Sequence, residues 1–454
     1  MANDHPPTPS LDGQLHRVWR SLRHRNFRLF FIGQGISVIG TWMQQVAMGW
    51  LVFRLTEDAF LMGMVTFAAQ VPCFLLMPFV GVFVDRWNRH RVVIATQILA
   101  LVQALILALL VLYGVVTYWQ LIVLSVFLGC INAVDMPARQ AFLPEMLTDK
   151  DDLANAIALN SSLFNGARLV GPVLATALIY LVGEATCFLL NAVSYVAVVA
   201  ALLAMILPPR PRRARQTHPL RDLLDGLRYA FGFPPIRAII LLVAMMSLVA
   251  VPYSVLMPLF AKDILHGGVG TFGLLTTAAG LGALAGAIYM AWRTSVLGLG
   301  RRIVLAGTLA GLAMLAFSHS NRLWLSLALL PLVGLGIMVT LAGCNTILQT
   351  LVDDDKRGRV MSLYTMAFMG VAPFGSLLAG SLANWAGPRT TVLVSGLACL
   401  VGTFMFARRL GALRAFIRPI YVRKGILPAP TPALEAAPEV FVRPESLQAE
   451  EVSS

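Results

Sequence analysis

Twelve apolar runs, most of them about twenty residues or longer, leave this chain little choice of fold. They lie at roughly 27–53, 60–84, 92–113, 119–141, 153–181, 186–207, 236–260, 270–292, 303–318, 322–350, 360–385 and 389–407. Inside a bilayer no water is at hand to satisfy backbone N–H and C=O groups, so each run must close its hydrogen bonds within itself as a helix. A strand barrel would need alternation over about ten residues, and these runs are continuous. The chain is 58% hydrophobic and 13% charged, against about a quarter charged in soluble domains. The expected fold class is an all-α polytopic membrane protein with twelve transmembrane helices.

The charges decide orientation. Between spans 1–2, 3–4, 5–6, 7–8, 9–10 and 11–12 the basic residues are Arg54, Lys262, Arg322 and Arg389. The opposite ends carry Arg86, Arg89, Arg91, Arg139, Lys150, Arg293, Arg301, Arg302, Lys356, Arg357, Arg359 and both tails. Cytoplasmic loops retain Lys and Arg, so both termini are expected in the cytoplasm and the chain in the cytoplasmic (inner) membrane. The net charge of +13 is spent on topology, and no nucleic-acid partner is implied. The N-terminus lacks a short apolar region with a cleavage site, so no removed signal peptide is expected.

The expected division is a cytoplasmic tail at 1–25, a six-helix bundle at 26–207, a cytoplasmic linker at 208–235, a second bundle at 236–410 and a cytoplasmic tail at 411–454. The linker opens with Pro208, Pro209, Arg210, Pro211, Arg212 and Arg213. It then places Leu220, Leu223, Leu224, Leu227 and Phe231 on one face of a helix suited to the inner membrane surface.

Between the second and third runs lies Gly81-Val82-Phe83-Val84-Asp85-Arg86-Trp87-Asn88-Arg89-His90-Arg91. A carboxylate ringed by guanidinium groups stays ionised. It is free to pair with Arg or to sit at a helix N-terminus, a contact that can hold two bundles together and be released. The loop resembles the signature of the major facilitator superfamily, G-x-x-x-D-R-x-x-R-[RK], with Gly81, Asp85, Arg86 and Arg89 in place. Asn88 stands where that family usually has Gly. The resemblance implies a cytoplasmic gate. We expect Asp85 at the start of helix eleven near Gly358 and Arg359, and Asp135, beside Arg139, offering its carboxylate to Arg89 or Arg86.

The halves repeat in the same direction: Phe164-Asn165-Gly166 with Gly171 and Ala175 matches Phe368-Met369-Gly370 with Gly375 and Ala379. Such a repeat implies two pseudo-symmetric six-helix bundles, the major facilitator fold. Asn26-Phe27-Arg28-Leu29-Phe30, Gly40-Thr41-Trp42-Met43-Gln44-Gln45, Asp135-Met136-Pro137-Ala138-Arg139-Gln140, Leu153-Ala154-Asn155-Ala156 and Arg357-Gly358-Arg359-Val360-Met361-Ser362 narrow it further. They are similar to the enterobactin-exporter-like branch, the transmembrane secretion effectors. That likeness implies proton-coupled export of a small molecule such as a siderophore or drug-like amphiphile. Two departures concern coupling: Ser125 and Leu128 stand where antiporters often have an Arg, and the helix-five motif keeps only Gly171 and Pro172 of its usual residues.

In helix one, Gln34, Ser37, Thr41, Gln44 and Met48 share a face, with Gln45 beside it. A polar stripe in lipid must turn toward protein or a water-filled cavity, and we expect it to line a substrate cavity. Interhelical hydrogen bonding is the plain alternative, at about 1 kcal/mol per contact. Asn165, Tyr253, Asn345 and Phe368 are further cavity candidates. Pro252, Pro258 and Pro373 should bend their helices. Arg168, 15 residues into helix five, sits about 22 Å along its axis. It needs an acceptor there, whether a substrate or an internal tie to Asp135 or to the Gln44 and Gln45 amides.

The seven His lie in tails, loops or span ends, and the five Cys fall singly inside spans. No metal set, disulfide framework or catalytic constellation emerges, and no Gly-Lys-Ser/Thr loop marks ATP. The expectation is not an enzyme, no cofactor, the proton gradient as energy source, and a monomer whose partners are a small-molecule substrate and the lipid bilayer. A lysolipid transporter or an importer on the same fold, and a non-transporting membrane sensor, remain the alternatives.

Overall fold

The computed structural model describes residues 19–84, 87–207, 227–293, 295–424 and 426–427. The chain forms two compact units, Met1–Leu410 and Gly411–Ser454. Among the described residues there are twelve helices of membrane-crossing length and apolarity, and no strand. They are α1 (Arg25–Thr56), α2 (Ala59–Val84), α3 (Arg89–Leu112), α4 (Tyr118–Phe142), α5 (Leu153–Val182) and α6 (Glu184–Leu203), then α7 (Pro234–Ile264), α8 (Val269–Trp292), α9 (Leu299–Ser318), α10 (Leu323–Leu351), α11 (Lys356–Ala386) and α12 (Pro388–Arg423). The expected spans are all present. Most start earlier or end later than the apolar runs, because helices continue past the hydrocarbon edge. The Asp85–Arg86 dipeptide, residues 1–18 of the expected tail and the linker from 208 to 226 lie outside the described residues. Leu227 to Gly232 is helical.

Helices α1 to α6 pack on one another, with α1 against α5 and α6, α3 against α4 and α6, and α2 against α4. Helices α7 to α12 do the same, with α10 between α8 and α9 and α11 against α7. The bundles meet mainly through α2 with α11 and α5 with α8, and α7 also touches α1 and α2. We call the side on which α1 begins the terminal face, and the other side the far face.

Apolar helices gain nothing from lipid exclusion against one another, so close backbone approach supplies the attraction. The clearest case is Gly63 on α2 facing Gly380 on α11. A Cβ on Gly63 would stand 3.3 Å from the Gly380 Cα, and one on Gly380 would stand 3.2 Å from the Gly63 Cα. No other residue type permits that approach.

Proline breaks two helices at mid-depth. In α7 the helix widens to a π-turn at Met246–Ala250, tightens at Val251–Leu256, and widens again at Phe260–Ile264. Pro252 and Pro258 each remove one i→i−4 bond there. The carbonyl that Pro252 releases belongs to Leu248, and it lies against Gly375 of α11. In α11 a π-turn at Met366–Gly370 precedes Pro373. The two irregular segments meet where the Ser247 hydroxyl donates to the Phe368 carbonyl. The bends expected from the three prolines are therefore joined to each other.

Candidate functional site

The seam between the bundles begins at the far face. Lys262 of α7 pairs with Glu57 at the end of α1 and lies 5.4 Å from the Phe53 ring. Trp50 of α1 stacks on Phe272 of α8 at 5.9 Å, and Thr176 of α5 packs into Gly273 of α8. On the other flank Gly63 meets Gly380, and Phe374 of α11 receives the edges of Phe67 and Phe74 at 5.6 and 5.9 Å. The Glu57–Lys262 pair is exposed and screened by solvent, so ring and glycine packing hold the seam.

The seam reaches mid-depth on both flanks. Among the described residues its innermost contacts are Phe74 against Gly370 and the Arg168 carbonyl 3.7 Å from where a Gly280 Cβ would stand. Pro172 releases that carbonyl, four residues before it, from the helical ladder. Nearer the terminal face, the first part of α11 (Asp354–Thr365) packs on α10 and α7 of its own bundle. Around the point where the seam ends, Thr41, Gln45 and Arg168 are exposed, with Ser254 beyond them and Ser161 and Gln349 nearer the terminal face. Polar side chains at that depth cannot be left to hydrocarbon, so they mark a water-filled cleft between the bundles.

The expected cavity stripe of α1 divides. Thr41 and Gln45 are exposed, but Gln34, Ser37 and Gln44 are buried. Gln44 donates to Gln103 Oε1 of α3 at 3.0 Å and accepts from Asn191 Nδ2 of α6 at 2.7 Å. Gln44 is thus an interhelical tie, as the plain alternative had it. The helical repeat puts Gln44 and Thr41 on one face, yet that face is wide enough to meet both neighbouring helices and the cleft.

Of the other candidates, Asn165 is half-buried and donates to the Ser161 carbonyl at 2.9 Å. Asn345 accepts from Gln349 at 2.6 Å. Phe368 is half-buried, and Tyr253 is 7% exposed. Gly171 packs against Trp42 and the Ile39 carbonyl, and Pro172 is buried beside it.

Of the gate contacts expected, those of Asp85 and Arg86 lie outside the described residues, and the one between Asp135 and Arg89 does not form. Asp135, 1% exposed, accepts from Thr96 at 2.7 Å and Gln97 at 2.9 Å and pairs with Arg139 one turn along its own helix. Arg89 bonds instead to Glu145 at 2.9 Å and to the Ala141 carbonyl at 3.2 Å. Depth explains the correction. Helices α3 and α4 are antiparallel neighbours, and Asp135 lies seven residues inside the end of α4. It meets α3 seven or eight residues past Arg89, at Thr96 and Gln97. Asn88 caps α3 by accepting from the Arg91 N–H at 3.2 Å, which accounts for its replacing the usual Gly. Gly81 ends in α2, and Gly358 and Arg359 are exposed at the start of α11.

Arg168 has no ion pair or side-chain hydrogen bond among the described residues. Asp135 and Gln44 are committed elsewhere, so neither expected tie to them forms. Its guanidinium lies over the Trp42 ring, 5.7 Å from the centroid.

One cluster was not foreseen. The segment Arg20–His24, read as tail, docks on the α4–α5 connection. Arg20, Arg23 and His24 converge on the fully buried Asp152, with His24 Nε2 at 2.7 Å and Arg23 at 2.8 Å. Ser21 donates to Asn155 at 2.6 Å. The signal was present as three bases before α1 and Asp149, Asp151 and Asp152 before α5. Burial alone would raise the Asp152 carboxyl, but the hydrogen bonds from His24 and Arg20 and the Arg20 and Arg23 charges hold it below the usual carboxylate range. A depressed carboxylate contributes its stabilisation above about pH 4 and loses it as pH falls further. A spin label at Arg25→Cys should therefore be immobile at neutral pH and mobilise below about pH 4. In Asp152→Asn it should be mobile throughout.

The profile of the transmembrane secretion effector family matches residues 17–416. The staphyloferrin A transporter of Staphylococcus aureus is 26% identical over 389 residues, covering 84% of this chain and 96% of that protein. Macrolide efflux protein A of Streptococcus pyogenes is 23% identical, covering 82% and 94%. Among solved structures, a bacterial homologue of the human lysosomal transporter Spinster, inward-facing and unoccupied, superposes with a TM-score of 0.66 at 13% identity, covering 89% of this chain and 99% of that one.

Proposed function

Because this chain belongs to the transmembrane secretion effector family and has the major facilitator fold, we propose that it exports a small molecule across the cytoplasmic membrane by alternating access, driven by the proton gradient. The observation that carries the reading is the set of polar side chains exposed within the spans, Thr41, Gln45 and Arg168 among them, beside bundles packed together over the far half; a cleft between the bundles is the place for them. Rocking the bundles about mid-depth would close the terminal half and open the other. Both termini are cytoplasmic, as the basic loops require, so the cleft faces the cell interior, ready to load. The relatives named as a staphyloferrin A transporter, a macrolide efflux protein and a multidrug efflux pump support a small organic cargo. The working unit is a monomer that needs neither ATP nor a bound cofactor.

We place the gate at the cytoplasmic face as a proposal, with Asp85 and Arg86 between α2 and α3, Arg89 at the start of α3 and Arg359 near the start of α11. Asp135 is the one carboxylate buried at depth in the described spans, and it is the candidate for proton coupling. Comparing metabolites in medium and cells, with and without the gene, tests export. The expected result is a compound that leaves the medium and accumulates in cells when the gene is lost. An unchanged medium would count against export. In proteoliposomes, efflux of that compound should rise with an imposed pH gradient and stop when the gradient is collapsed.

A further inference from the structure

We infer that the mid-depth cleft selects carboxylate-bearing amphiphiles, with the Arg168 guanidinium as the group that binds the anion and the Trp42 indole as the shelf beside it. This rests on the export reading and names the chemistry of its cargo.

Four observations converge. Arg168 is exposed at the apex of the cleft, 15 residues into α5, at the point where its own backbone marks the end of the seam with α8. It cannot shed its proton and carries five donors and no acceptor, yet no carboxylate among the described residues pairs with it. The acids of the spans are occupied or remote: Asp135 is bound by Arg139, Thr96 and Gln97, Glu184 by Arg54, and Glu57 by Lys262, while Asp263 sits at the far end of α7. Among the described residues the apex therefore holds a positive charge with no acid to compensate it, which favours an anion and repels a cation.

The Trp42 ring lies against the guanidinium at 5.7 Å. A planar guanidinium stacked on a ring keeps its N–H groups at the edge, where the fork matches the two oxygens of a carboxylate. Trp42 is itself fixed from behind, because Gly171 of α5 leaves no gap at its Cβ. Tyr253 of the second bundle lies within electrostatic range of the same charge. The Trp42 ring offers an apolar surface to a body attached to that anion.

The test uses purified protein in nanodiscs and three probes sharing one chain: 11-dansylaminoundecanoic acid, its primary amide and its trimethylammonium analogue. Binding is read from dansyl fluorescence. The acid should bind about tenfold or more tightly than the amide, as a charge-assisted bidentate contact predicts, and the cation least. Arg168→Gln should bring the acid down to the level of the amide, and Arg168→Lys should keep part of the gap. Equal binding of acid and amide to the native protein overturns the inference, and needs no variant to fold. An unchanged gap in Arg168→Gln overturns it too. Proteoliposomes separate the two readings. Gradient-driven movement without preference for the acid overturns the carboxylate inference and leaves export standing. No movement of any probe in either direction overturns both.

Discussion

Gly380→Leu is expected to bring export below about a tenth of the native rate while the protein still reaches the membrane; Gly63→Leu should do the same. At Gly380 a Cβ would already meet the Ala59 carbonyl and the Gly63 Cα, and at Gly63 it would meet the Ser376 carbonyl. These are backbone atoms of the opposite bundle, so they cannot rotate aside. Forcing a side chain into such a contact costs about 1–3 kcal/mol. Both glycines lie on the seam between bundles, so the cost falls on the state in which the far half is closed. At 1.4 kcal/mol per factor of ten, it shifts the balance between closed and open by about 5- to 150-fold. A maleimide that cannot cross the membrane reports the shift. With Cys73, Cys130, Cys187, Cys344 and Cys399 replaced, a cysteine at Gln45 should label from the terminal side in the native seam. It should label increasingly from the far side in Gly380→Leu. Full transport in either variant would show that the α2–α11 contact does not govern closure.

The second large effect falls on Asp135 and Arg139. Removing one partner of a buried pair leaves the other charge uncompensated, at about 3–5 kcal/mol. Asp135→Asn and Arg139→Gln should each lower thermal stability and abundance strongly. The double variant should recover much of the loss, because two amides leave no charge behind. Gln97 Oε1 and Arg139 Nε have no hydrogen-bond partner among the described residues, so the cluster has unused bonding capacity with which to rearrange. That makes the double variant informative about coupling as well as folding. If Asp135 carries the proton, the stabilised double variant will still bind cargo but will no longer follow the pH gradient. If transport in it remains gradient-driven, Asp135 is a structural tie and the coupling acid lies elsewhere.

The sequence by itself determined what the membrane enforces segment by segment. An apolar run in lipid has one way to satisfy its backbone, so the twelve helices and their order followed from length and hydropathy. The irregular turns near Pro252, Pro258 and Pro373 were signalled in the same way, since each of these prolines lacks the N–H of an i→i−4 bond. Arg168 could be singled out from its distance along α5 alone.

The tertiary structure decided which neighbour each polar face meets. Gln44 and Thr41 share a helical stripe, but only the placement of α3 and α6 binds Gln44 to Gln103 and Asn191 and leaves Thr41 to the cleft. Arg89 and Asp135 attract by charge, but the antiparallel register of α3 and α4 sets them at different depths. Asp152 gathers Arg20, Arg23 and His24 from about 130 residues away in sequence. Local pattern fixes a helix and its polar face, because those depend on the chain's own periodicity and on lipid. Whether that face meets a helix, an ion or water depends on where the other helices stand, and in a bilayer each of the three satisfies a polar group.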